Sequence, residues 1–488
     1  MNDKERLDVL VIGGGPGGTP AALALAQAGK RVLLVEAGRG LGGTCLFEGC
    51  IPSKIYREVA ARRRECARAS EFGLLPSGGG DCAIDWSAVQ TRRHRILTQR
   101  AQAALAKAKS LKGLEVVFGN ARLIGPREAL IEGAEGRHCV HFEHAILATG
   151  SEPNHLPIPG ADLPGVLDSA GLIEIGFIPE SLVLVGGGPV GVEMAQIFAM
   201  LGARVTLLEA MPRILGPVDS MLAELLAERL TADGIGIHTG VTIESIEGTE
   251  DRHAIRFSQG GKSQDVRGQV VAIVAGRHPN VSGLGLETTS IRHDRHGVKV
   301  DENLQTHEPG IYATGDLVGN PMFAHWATAQ AQAVAHHLLG NEVAFPRPEH
   351  NSAVIFSYPE LGMAGLTEEA AGAAGEDVGI VEYDYRVDAR AQISSDASGR
   401  LRIVYRRSDR RIVGIHVLVE GAADLMGEAA LAVRHGLTLE ELTAAIHPHP
   451  TLTEAFGLAP LAVDEIHLDR PNFSRHTNEP KQPDLTRR

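Results

Sequence analysis

Residues 7–18 have the sequence LDVLVIGGGPGG, in which a short apolar run leads directly into a glycine-rich turn. The run predicts a buried parallel strand at Leu7–Ile12. The residues beyond the turn predict a helix that ends near Ala28 and a second strand, Arg31–Val35, that leads into Glu36. A strand, a glycine turn, a helix, a strand and a final acid at this spacing predict an α/β unit that binds a dinucleotide.

The turn and the final acid have physical roles in such a unit. Glycine carries no side chain, so the backbone can approach a pyrophosphate, and the N-terminus of the following helix attracts its negative charge. The acid accepts hydrogen bonds from ribose hydroxyls. The contacts predicted for this first nucleotide are Gly13, Gly15, Gly18 and Glu36.

The same pattern returns 173 residues later, counted from Gly13 to Gly186. Ser181–Val185 and Arg204–Leu208 are predicted strands, and Val192–Leu201 is the predicted helix between them. Two such units in one chain indicate two nucleotide sites. The contacts predicted for the second nucleotide are Gly186, Gly188, Gly191 and Glu209.

Glu209 indicates which nucleotide the second unit binds. Sites for NADP usually place an arginine near this position, where it binds the 2′-phosphate. A carboxylate would repel that phosphate and accept a hydrogen bond from the free 2′-hydroxyl of NAD. Arg213 is nearby, but it follows four residues later. The second unit is therefore predicted to bind NAD(H).

Between the two units, residues 42–54 have the sequence GGTCLFEGCIPSK, with Cys45 and Cys50 five residues apart. A regular helix would separate their Cα atoms by about 8–9 Å, whereas a disulfide tolerates about 4.4–6.8 Å. If the two cysteines pair, the segment is therefore not a regular helix between them, and its glycines give it the necessary freedom. Pro52 suits the first turn of a helix that carries Lys54. By spacing alone, two unrelated buried thiols remain the alternative.

The composition excludes several other classes of protein. A length of 488 residues suggests three or four domains, and 43% hydrophobic with 22% charged residues is typical of a globular chain. A net charge of −13 and only 4% aromatic residues argue against binding to nucleic acid or to an anionic membrane. Five cysteines are too few for a secreted disulfide framework and lack metal-ligand spacing, so no metal site is predicted.

The apolar stretch Leu7–Ala28 could be mistaken for a membrane span. Residues 13–18 interrupt it with glycine and proline, and Asp8 and Gln27 lie within it. The first six residues lack the features of a signal or transit peptide. A cytoplasmic protein with no membrane contact is the prediction.

Taken together, these motifs resemble the FAD-dependent pyridine nucleotide–disulfide oxidoreductases, whose redox signature is Gly-Gly-Thr-Cys, four residues, Cys, then Pro-Ser-Lys. Three later segments are similar to motifs of that family, namely Ala148-Thr149-Gly150, Gly276-Arg277-His278-Pro279-Asn280 and Ile311-Tyr312-Ala313-Thr314-Gly315-Asp316. The resemblance extends from Leu7 to Phe456, and within the family it is greatest to the branch that oxidises dihydrolipoyl groups, the dihydrolipoamide dehydrogenases. In that branch the redox stretch commonly has Asn and a small or apolar residue where this chain has Phe47 and Glu48.

The resemblance implies an α/β fold with two Rossmann-like dinucleotide-binding domains and a C-terminal α+β dimer-interface domain. The expected FAD-binding domain is 1–155 and the NAD-binding domain is 156–276. Residues 277–345 are expected to return and complete the FAD domain, and 346–465 to form the interface domain. A polar tail, 466–488, is expected to have little fixed structure.

Periodicity predicts the remaining elements. Residues 54–112 are expected to be largely helical, with a break at Ser77–Gly80. Further strands are predicted at Glu115–Phe118, Arg122–Ile124, Ala129–Ile131, Cys139–Phe142, Ala145–Leu147, Ala353–Phe356, Gly379–Tyr385, Arg400–Tyr405 and Arg411–Val419. Further helices are predicted at Ala422–His435 and Leu439–Leu442.

The resemblance also implies further contacts to the cofactors FAD and NAD. The carboxylate of Asp316 would bind the ribityl chain of FAD, and Lys54 with Glu193 would form an ion pair beside the flavin. The remaining cofactor-binding positions expected are Thr44, Ala121, Gly150, Gly276 and Ala324.

Residues 447–454, with the sequence HPHPTLTE, resemble the His-Pro-Thr motif of the family, which has a glutamate five residues after the histidine. By that match His449 is the acid and base of the reaction, and Glu454 orients its imidazole. Thiol exchange requires a group of this kind, which takes and returns a proton near neutral pH. His447 is the alternative base, although its expected role is local packing.

The implied reaction oxidises a dihydrolipoyl group, carried by a lipoylated protein, and reduces NAD+ to NADH. A thiolate of the dihydrolipoyl group would attack Cys45 of a Cys45–Cys50 disulfide, and Cys50 would lie nearer the flavin. The implied assembly is a homodimer, in which His449 reaches the disulfide of the opposite subunit. The alternatives are an NADH-dependent reductase of another disulfide and a flavin redox sensor that does not turn over.

Overall fold

The structure, a computed structural model, describes residues 6–74, 82–249, 252–319 and 321–463. The break predicted at Ser77–Gly80 and the tail predicted at 466–488 lie outside these residues. The described residues form three units, two built on parallel sheets and one on an antiparallel sheet. None of their helices is long and apolar enough to cross a membrane.

The secondary structure of the described residues is as follows. The strands are β1 (Arg6–Ile12), β2 (Val32–Glu36), β3 (Leu114–Gly125), β4 (Glu128–Gly133), β5 (Gly136–Leu147), β6 (Ser151–Pro153), β7 (Val166–Leu167), β8 (Ser181–Val185), β9 (Arg204–Glu209), β10 (Gly236–Thr239), β11 (Val241–Thr249), β12 (Arg252–Gln259), β13 (Lys262–Gly268), β14 (Val270–Ile273), β15 (Arg277–Pro279), β16 (His293–Asp294), β17 (Gly297–Val298), β18 (Ile311–Ala313), β19 (Ser352–Ile355), β20 (Leu361–Gly365), β21 (Val378–Asp384), β22 (Arg400–Arg406) and β23 (Ile412–Leu418). The α-helices are α1 (Thr19–Gln27), α2 (Gly43–Phe47), α3 (Cys50–Arg68), α4 (Trp86–Lys109), α5 (Ser169–Ile173), α6 (Pro189–Met200), α7 (Ser220–Ala232), α8 (Ala324–Leu338), α9 (Glu368–Ala373), α10 (Ala389–Ile393), α11 (Ala422–His435), α12 (Leu439–Ala444) and α13 (Glu454–Leu458).

The first unit is a parallel sheet with the strand order β3-β2-β1-β5-β18. Its central strand is apolar, as expected for a parallel strand covered on both faces, and Val9–Ile12 are buried. Strands β3 and β5 continue beyond the sheet, where β4 pairs with both of them in antiparallel fashion. The strands predicted separately at Glu115–Phe118 and Arg122–Ile124 are therefore one strand, and so are Cys139–Phe142 and Ala145–Leu147. Each of these long strands changes partner midway, which interrupts its residue pattern.

The second unit repeats this architecture, as the second glycine motif predicted. Its parallel sheet has the order β10-β9-β8-β14-β7, and β11, β12 and β13 form the adjoining antiparallel sheet. Helix α6 begins at Pro189, three residues before the predicted start at Val192. Proline fits the first turn of a helix because the N–H it lacks would have had no partner there.

The third unit is an antiparallel sheet with the order β19-β20-β23-β22-β21, and α11 packs against β20 and β23. The strands and helices predicted for this region are present within one or two residues of their predicted ends. Strand β20 was not predicted, because Gly362 and Gly365 give it little of the alternating pattern of a strand.

The packing of α3 joins the first unit to the second. This helix begins at Cys50 and packs against α6. Tyr56 and Ala60 share one buried core with Val192 and Phe198 of α6. The start of α3 is thereby held beside the helix that follows the second glycine turn.

Candidate active site

A large open cavity of about 2060 Å³ is bounded by residues of all three units. Small-ligand pockets usually measure about 300–1,000 Å³, so this cavity has room for a dinucleotide. Cys45 and Cys50 lie in its wall, which also includes Pro189 and Val190 at the start of α6. The predicted cofactor residues that line it are Gly13, Gly15, Glu36, Thr44, Lys54, Ala121, Gly150, Glu193, Gly276, Asp316 and Ala324.

Five predicted cofactor residues do not line this cavity, namely Gly18, Gly186, Gly188, Gly191 and Glu209. Two of them, Gly18 and Gly191, are the third glycines of their turns. A Cβ atom at Gly18 would lie 1.9 Å from the carbonyl oxygen of Gly13, and one at Gly191 would lie 1.9 Å from that of Gly186. These two glycines therefore allow each helix to pack closely against its own turn.

The first glycine turn fits a dinucleotide such as FAD. The carboxylate of Glu36 accepts hydrogen bonds from the N–H groups of Gly14 and Gly38, each at 2.5 Å, which fixes it at the edge of the cavity. Helix α1 follows this turn and begins without a side-chain cap, so the positive end of its dipole lies at the turn, where it favours an anion. Asp316 lies in the same cavity, where the hydroxyl of Ser151 donates to it at 2.6 Å.

The second glycine turn has the same geometry. The carboxylate of Glu209 accepts from the N–H of Gly187 at 2.5 Å and from that of Met211 at 2.7 Å. Helix α6 also begins without a side-chain cap. No atom lies within 4 Å of the position a Cβ would take on Gly188, so the backbone is open to a ligand there. The residues present thus fit a second nucleotide.

The two cysteines lie on either side of a break between two helices. Cys45 lies in the short helix α2, Gly49 has the non-helical angles φ −139° and ψ −104°, and Cys50 is the first residue of α3. The break brings the two side chains together, and a hydrogen bond between the two thiols shifts the pKa of each. The sequence predicted this departure from regular helix as the condition for pairing.

The two thiols differ in acidity. The hydrogen bond from Cys45 lowers the pKa of Cys50 to about 7, helped by the positive charge of Lys54 and by a backbone N–H, although burial opposes the shift. The same hydrogen bond, together with burial, raises the pKa of Cys45. The first proton to leave the pair is therefore lost from Cys50, which remains exposed to the cavity.

Lys54 and Glu193 form the predicted ion pair, with Nζ and Oε2 2.7 Å apart. The pair joins α3 to α6, and the third unit holds it in place. The backbone N–H of Phe356 donates to Oε1 of Glu193 at 2.9 Å, and the ammonium group of Lys54 lies 4.4 Å from the centre of the Phe356 ring. All three side chains line the cavity, so a fixed positive charge lies beside the cysteines.

His449 is paired with Glu454 as predicted, with Nδ1 2.9 Å from Oε1 and 3.2 Å from Oε2. The N–H of Thr451 also donates to this carboxylate at 2.9 Å, and these two hydrogen bonds lower the pKa of Glu454. The side chain of His449 is 72% exposed and does not line the cavity that contains the cysteines. A single chain therefore does not bring this histidine to its own cysteine pair.

Comparison with known proteins identifies the family. Residues 7–331 match the family described as Pyridine nucleotide-disulphide oxidoreductase, and residues 351–460 match its dimerisation domain. The chain belongs to the pyridine nucleotide-disulphide oxidoreductases. This oxidoreductase is an NAD-dependent enzyme, and its cofactors are FAD and NAD(H), as its motifs predicted.

Several relatives of this oxidoreductase are similar along almost their whole length. A dihydrolipoyl dehydrogenase of Bacillus subtilis (strain 168) is 34% identical over 457 residues, which are 93% of this chain and 98% of the relative. A dihydrolipoyl dehydrogenase of Thermus scotoductus is 34% identical over 468 residues, 94% of this chain and 98% of the relative. Among solved structures, the HOCl-induced flavoprotein disulfide reductase RclA from Escherichia coli has a TM-score of 0.82 and 26% identity, over 93% of this chain and 100% of that one. A Cu(II) complex of RclA gives a TM-score of 0.83, 27% identity and coverage of 95% and 100%.

His447, the alternative base, has a partner of its own in this oxidoreductase. Its Nε2 lies 2.8 Å from Oε1 of Glu428, and its side chain is 9% exposed. A Cβ on Gly457 would lie 2.9 Å from its Nδ1, so the ring packs directly against backbone. These contacts agree with the packing role expected for His447.

The structure gives contacts to residues for which the sequence had indicated no role. Arg277 donates to the hydroxyl of Ser151 at 2.7 Å, which in turn donates to Asp316. The guanidinium of Arg39 lies 4.8 Å from the centre of the Phe47 ring and pairs with Glu174 at 3.2 Å. Arg39 thus links Phe47, one of the two unusual residues between the cysteines, to Glu174, the residue that follows α5. Among the described residues, no group of three or more His, Cys, Asp or Glu side chains could hold a metal ion.

The acidity of Cys50 leads to a testable pH dependence. The rate of alkylation of Cys50 in the reduced holoenzyme should rise with pH through a midpoint near 7. Only the thiolate reacts, and the pKa of Cys50 is about 7. Lys54→Met should move the midpoint upward, since it removes the charge that favours the thiolate. Lys299→Met, which removes a lysine paired with Asp294 outside the cavity, is the control and should not move it. A wild-type midpoint near 8.5, the value of an ordinary thiol, would contradict this assignment.

Proposed function

We propose that this oxidoreductase is a dihydrolipoyl dehydrogenase, which oxidises protein-bound dihydrolipoyl groups and reduces NAD+. The observation that carries the proposal is the placement of Cys45 and Cys50 in one cavity wall with the first glycine turn and the start of α6. The relatives named dihydrolipoyl dehydrogenase, 34% identical over more than nine-tenths of the chain, support this choice of substrate.

The chemistry begins with a disulfide between Cys45 and Cys50 in the oxidised enzyme. One thiolate of the substrate attacks the sulfur of Cys45, the bond between the cysteines breaks, and Cys50 leaves as a thiolate. The positive charge of Lys54 favours the thiolate form of Cys50, which makes Cys50 the better leaving group. The second substrate thiol then attacks the sulfur joined to Cys45, which releases the oxidised lipoyl disulfide and leaves the enzyme with two reduced cysteines.

His449 takes the protons of the substrate thiols. Glu454 accepts from its Nδ1, which leaves Nε2 free to act as the base and stabilises the imidazolium that forms. Lys54, held by Glu193, stabilises the negative charge on Cys50. The first glycine turn, Glu36 and Asp316 would hold FAD, and the second glycine turn with Glu209 would hold NAD+. FAD would supply the electron-transfer chemistry that links the dithiol to NAD+.

The active site is shared in a homodimer. The third unit matches the dimerisation domain of the family and exposes large apolar side chains at Val387, Ile393, Leu431, Ile446 and Leu458. Exposed apolar surface of this kind is typical of a protein interface. Because His449 is exposed and outside the cavity of its own chain, it is available to the cysteines of the partner subunit.

The second candidate function is the reverse type of reaction, the reduction of a disulfide substrate by NADH. The likeness to the flavoprotein disulfide reductase RclA, with a TM-score of 0.83, favours it. Steady-state rates with NAD+ and dihydrolipoamide, and with NADH and a panel of disulfides, separate the two. A higher kcat/KM with NAD+ and dihydrolipoamide supports the dehydrogenase. A higher value with NADH and another disulfide supports the reductase, and no turnover in either direction supports a redox sensor.

The choice between the two pyridine nucleotides depends on Glu209. Loss of a hydrogen bond to a charged group costs about 1.5–3 kcal/mol, and repulsion of the 2′-phosphate adds to this, so kcat/KM for NAD+ should exceed that for NADP+ by about tenfold or more. Glu209→Ser should reduce this ratio, whereas Glu244→Ser, which removes an exposed carboxylate of β11, should leave it unchanged. Equal values for the two nucleotides in the wild type would show that Glu209 does not face the ribose.

A further inference from the structure

Residues 211–219 form a loop between β9 and α7, and this loop packs against the second glycine turn. The N–H of Leu215 donates to the carbonyl of Gly187 at 2.9 Å. A Cβ on Gly187 would lie 2.9 Å from the side chain of Ile214, which shows how closely the two segments pack. The loop contributes three residues to the cavity wall, Leu215, Pro217 and Val218.

The backbone of this loop has an unfavourable conformation at its centre. Leu215 has φ +53°, in the left-handed region that side chains with a Cβ rarely adopt. The residue is 1% exposed, so a change of backbone angle that relieved the strain would also have to move a packed side chain. A buried leucine keeps this conformation only where its surroundings hold it.

Arg213 supplies that hold. One guanidinium nitrogen donates to the carbonyl oxygens of Leu215 at 3.2 Å and Val218 at 3.1 Å, and another donates to that of Gly216 at 2.5 Å. Arginine presents its donors in a rigid fork, so three carbonyls bound to one guanidinium fix the path of the backbone between them. The donors that could have bound a 2′-phosphate point instead into the loop.

We infer that Arg213 is a positioning residue for NAD(H), which holds Leu215–Val218 in the shape that forms the wall of the nucleotide site. The sequence left the role of Arg213 open, because it follows Glu209 by four residues. This inference rests on the proposed binding of NAD(H) at the second glycine turn. Arg213 itself does not line the cavity, so it would act through the loop that it holds.

The test compares NADH binding to the holoenzyme, by equilibrium titration, with the KM values for NAD+ and dihydrolipoamide. Arg213→Met should raise the Kd of NADH and the KM of NAD+ about tenfold or more and leave the KM of dihydrolipoamide within about twofold. Arg213→Lys should give a smaller increase, because an ammonium group reaches fewer carbonyls. Arg204→Met, an exposed arginine at the far end of β9, is the matched control and should bind NADH normally.

The decisive variant is Arg213→Met combined with Leu215→Gly. Glycine adopts the left-handed conformation without support, so the second substitution should recover at least threefold of the lost NADH affinity. Unchanged binding in Arg213→Met, or an equal loss for both substrates with no recovery, would overturn the inference. A selective loss of NADPH binding would assign Arg213 to the phosphate instead. If the wild type binds NADH but the variant is unaffected, only this inference fails, whereas a wild type that does not bind NADH removes the proposed function and the inference together.

Discussion

Replacement of either Cys45 or Cys50 by serine is expected to abolish the oxidation of dihydrolipoamide and to leave FAD bound. A serine oxygen cannot form the disulfide that accepts two electrons, so each variant lacks the whole exchange step. Removal of a catalytic nucleophile commonly costs about three orders of magnitude or more in rate. The measurements are steady-state turnover with NAD+ and the flavin content from absorbance.

Two comparisons sharpen this prediction. The double variant should be no worse than the single ones, because the two thiols act as one unit. Cys66→Ser changes another cysteine of α3, which does not line the cavity, and it should keep full activity. Retention of more than about a tenth of the activity in either Cys45→Ser or Cys50→Ser would overturn the assignment of the redox pair.

Loss of the base is expected to have the second largest effect. His449→Gln should lower turnover by about 10²–10⁴-fold, the usual contribution of a general acid and base. Glu454→Gln should have a smaller effect, because it removes the group that orients the imidazole and leaves the imidazole itself. His447→Gln, two residues away and paired with Glu428, is the matched comparison. If His447→Gln lost more activity than His449→Gln, the base would be His447.

Mixed subunits test where the base acts. A heterodimer of Cys45→Ser and His449→Gln subunits has one site with both lesions and one site with neither, if each site takes its histidine from the partner. Random reassortment of equal amounts makes half of the dimers mixed, so activity should recover to about a quarter of wild type. The parent variants should each remain nearly inactive. Verified heterodimers without recovery would place the base in its own chain.

Much of the fold could be predicted from short stretches of the sequence. The strand, glycine turn, helix and strand of each nucleotide unit lie within about thirty residues, and hydrophobic periodicity with turn glycines predicts them directly. The same local information placed Pro52 in the first turn of a helix that carries Lys54, and this helix begins at Cys50 in the structure. Strand β20 was not predicted, because its glycines interrupt the alternation of apolar and polar residues that indicates a strand.

Contacts between residues far apart in the chain could not be predicted from the local sequence pattern. The three hydrogen bonds of Arg213 depend on the left-handed backbone of Leu215. Leucine rarely adopts this conformation, so the sequence gives no sign of it. The chain Arg277–Ser151–Asp316 joins segments that lie more than a hundred residues apart. The separation of His449 from the cavity is a property of the folded chain, and before the structure only the family resemblance implied it, since no local pattern of residues does.

The central claim is that NAD(H), FAD and the Cys45–Cys50 pair form one path for electrons. Its most direct test is anaerobic addition of NADH to the oxidised holoenzyme, followed by alkylation of thiols and mass spectrometry of the peptides. The account predicts two new alkylated thiols per chain, on Cys45 and Cys50, with no change at Cys66, Cys82 or Cys139. No new thiols after NADH, or new thiols at any other cysteine, would contradict it.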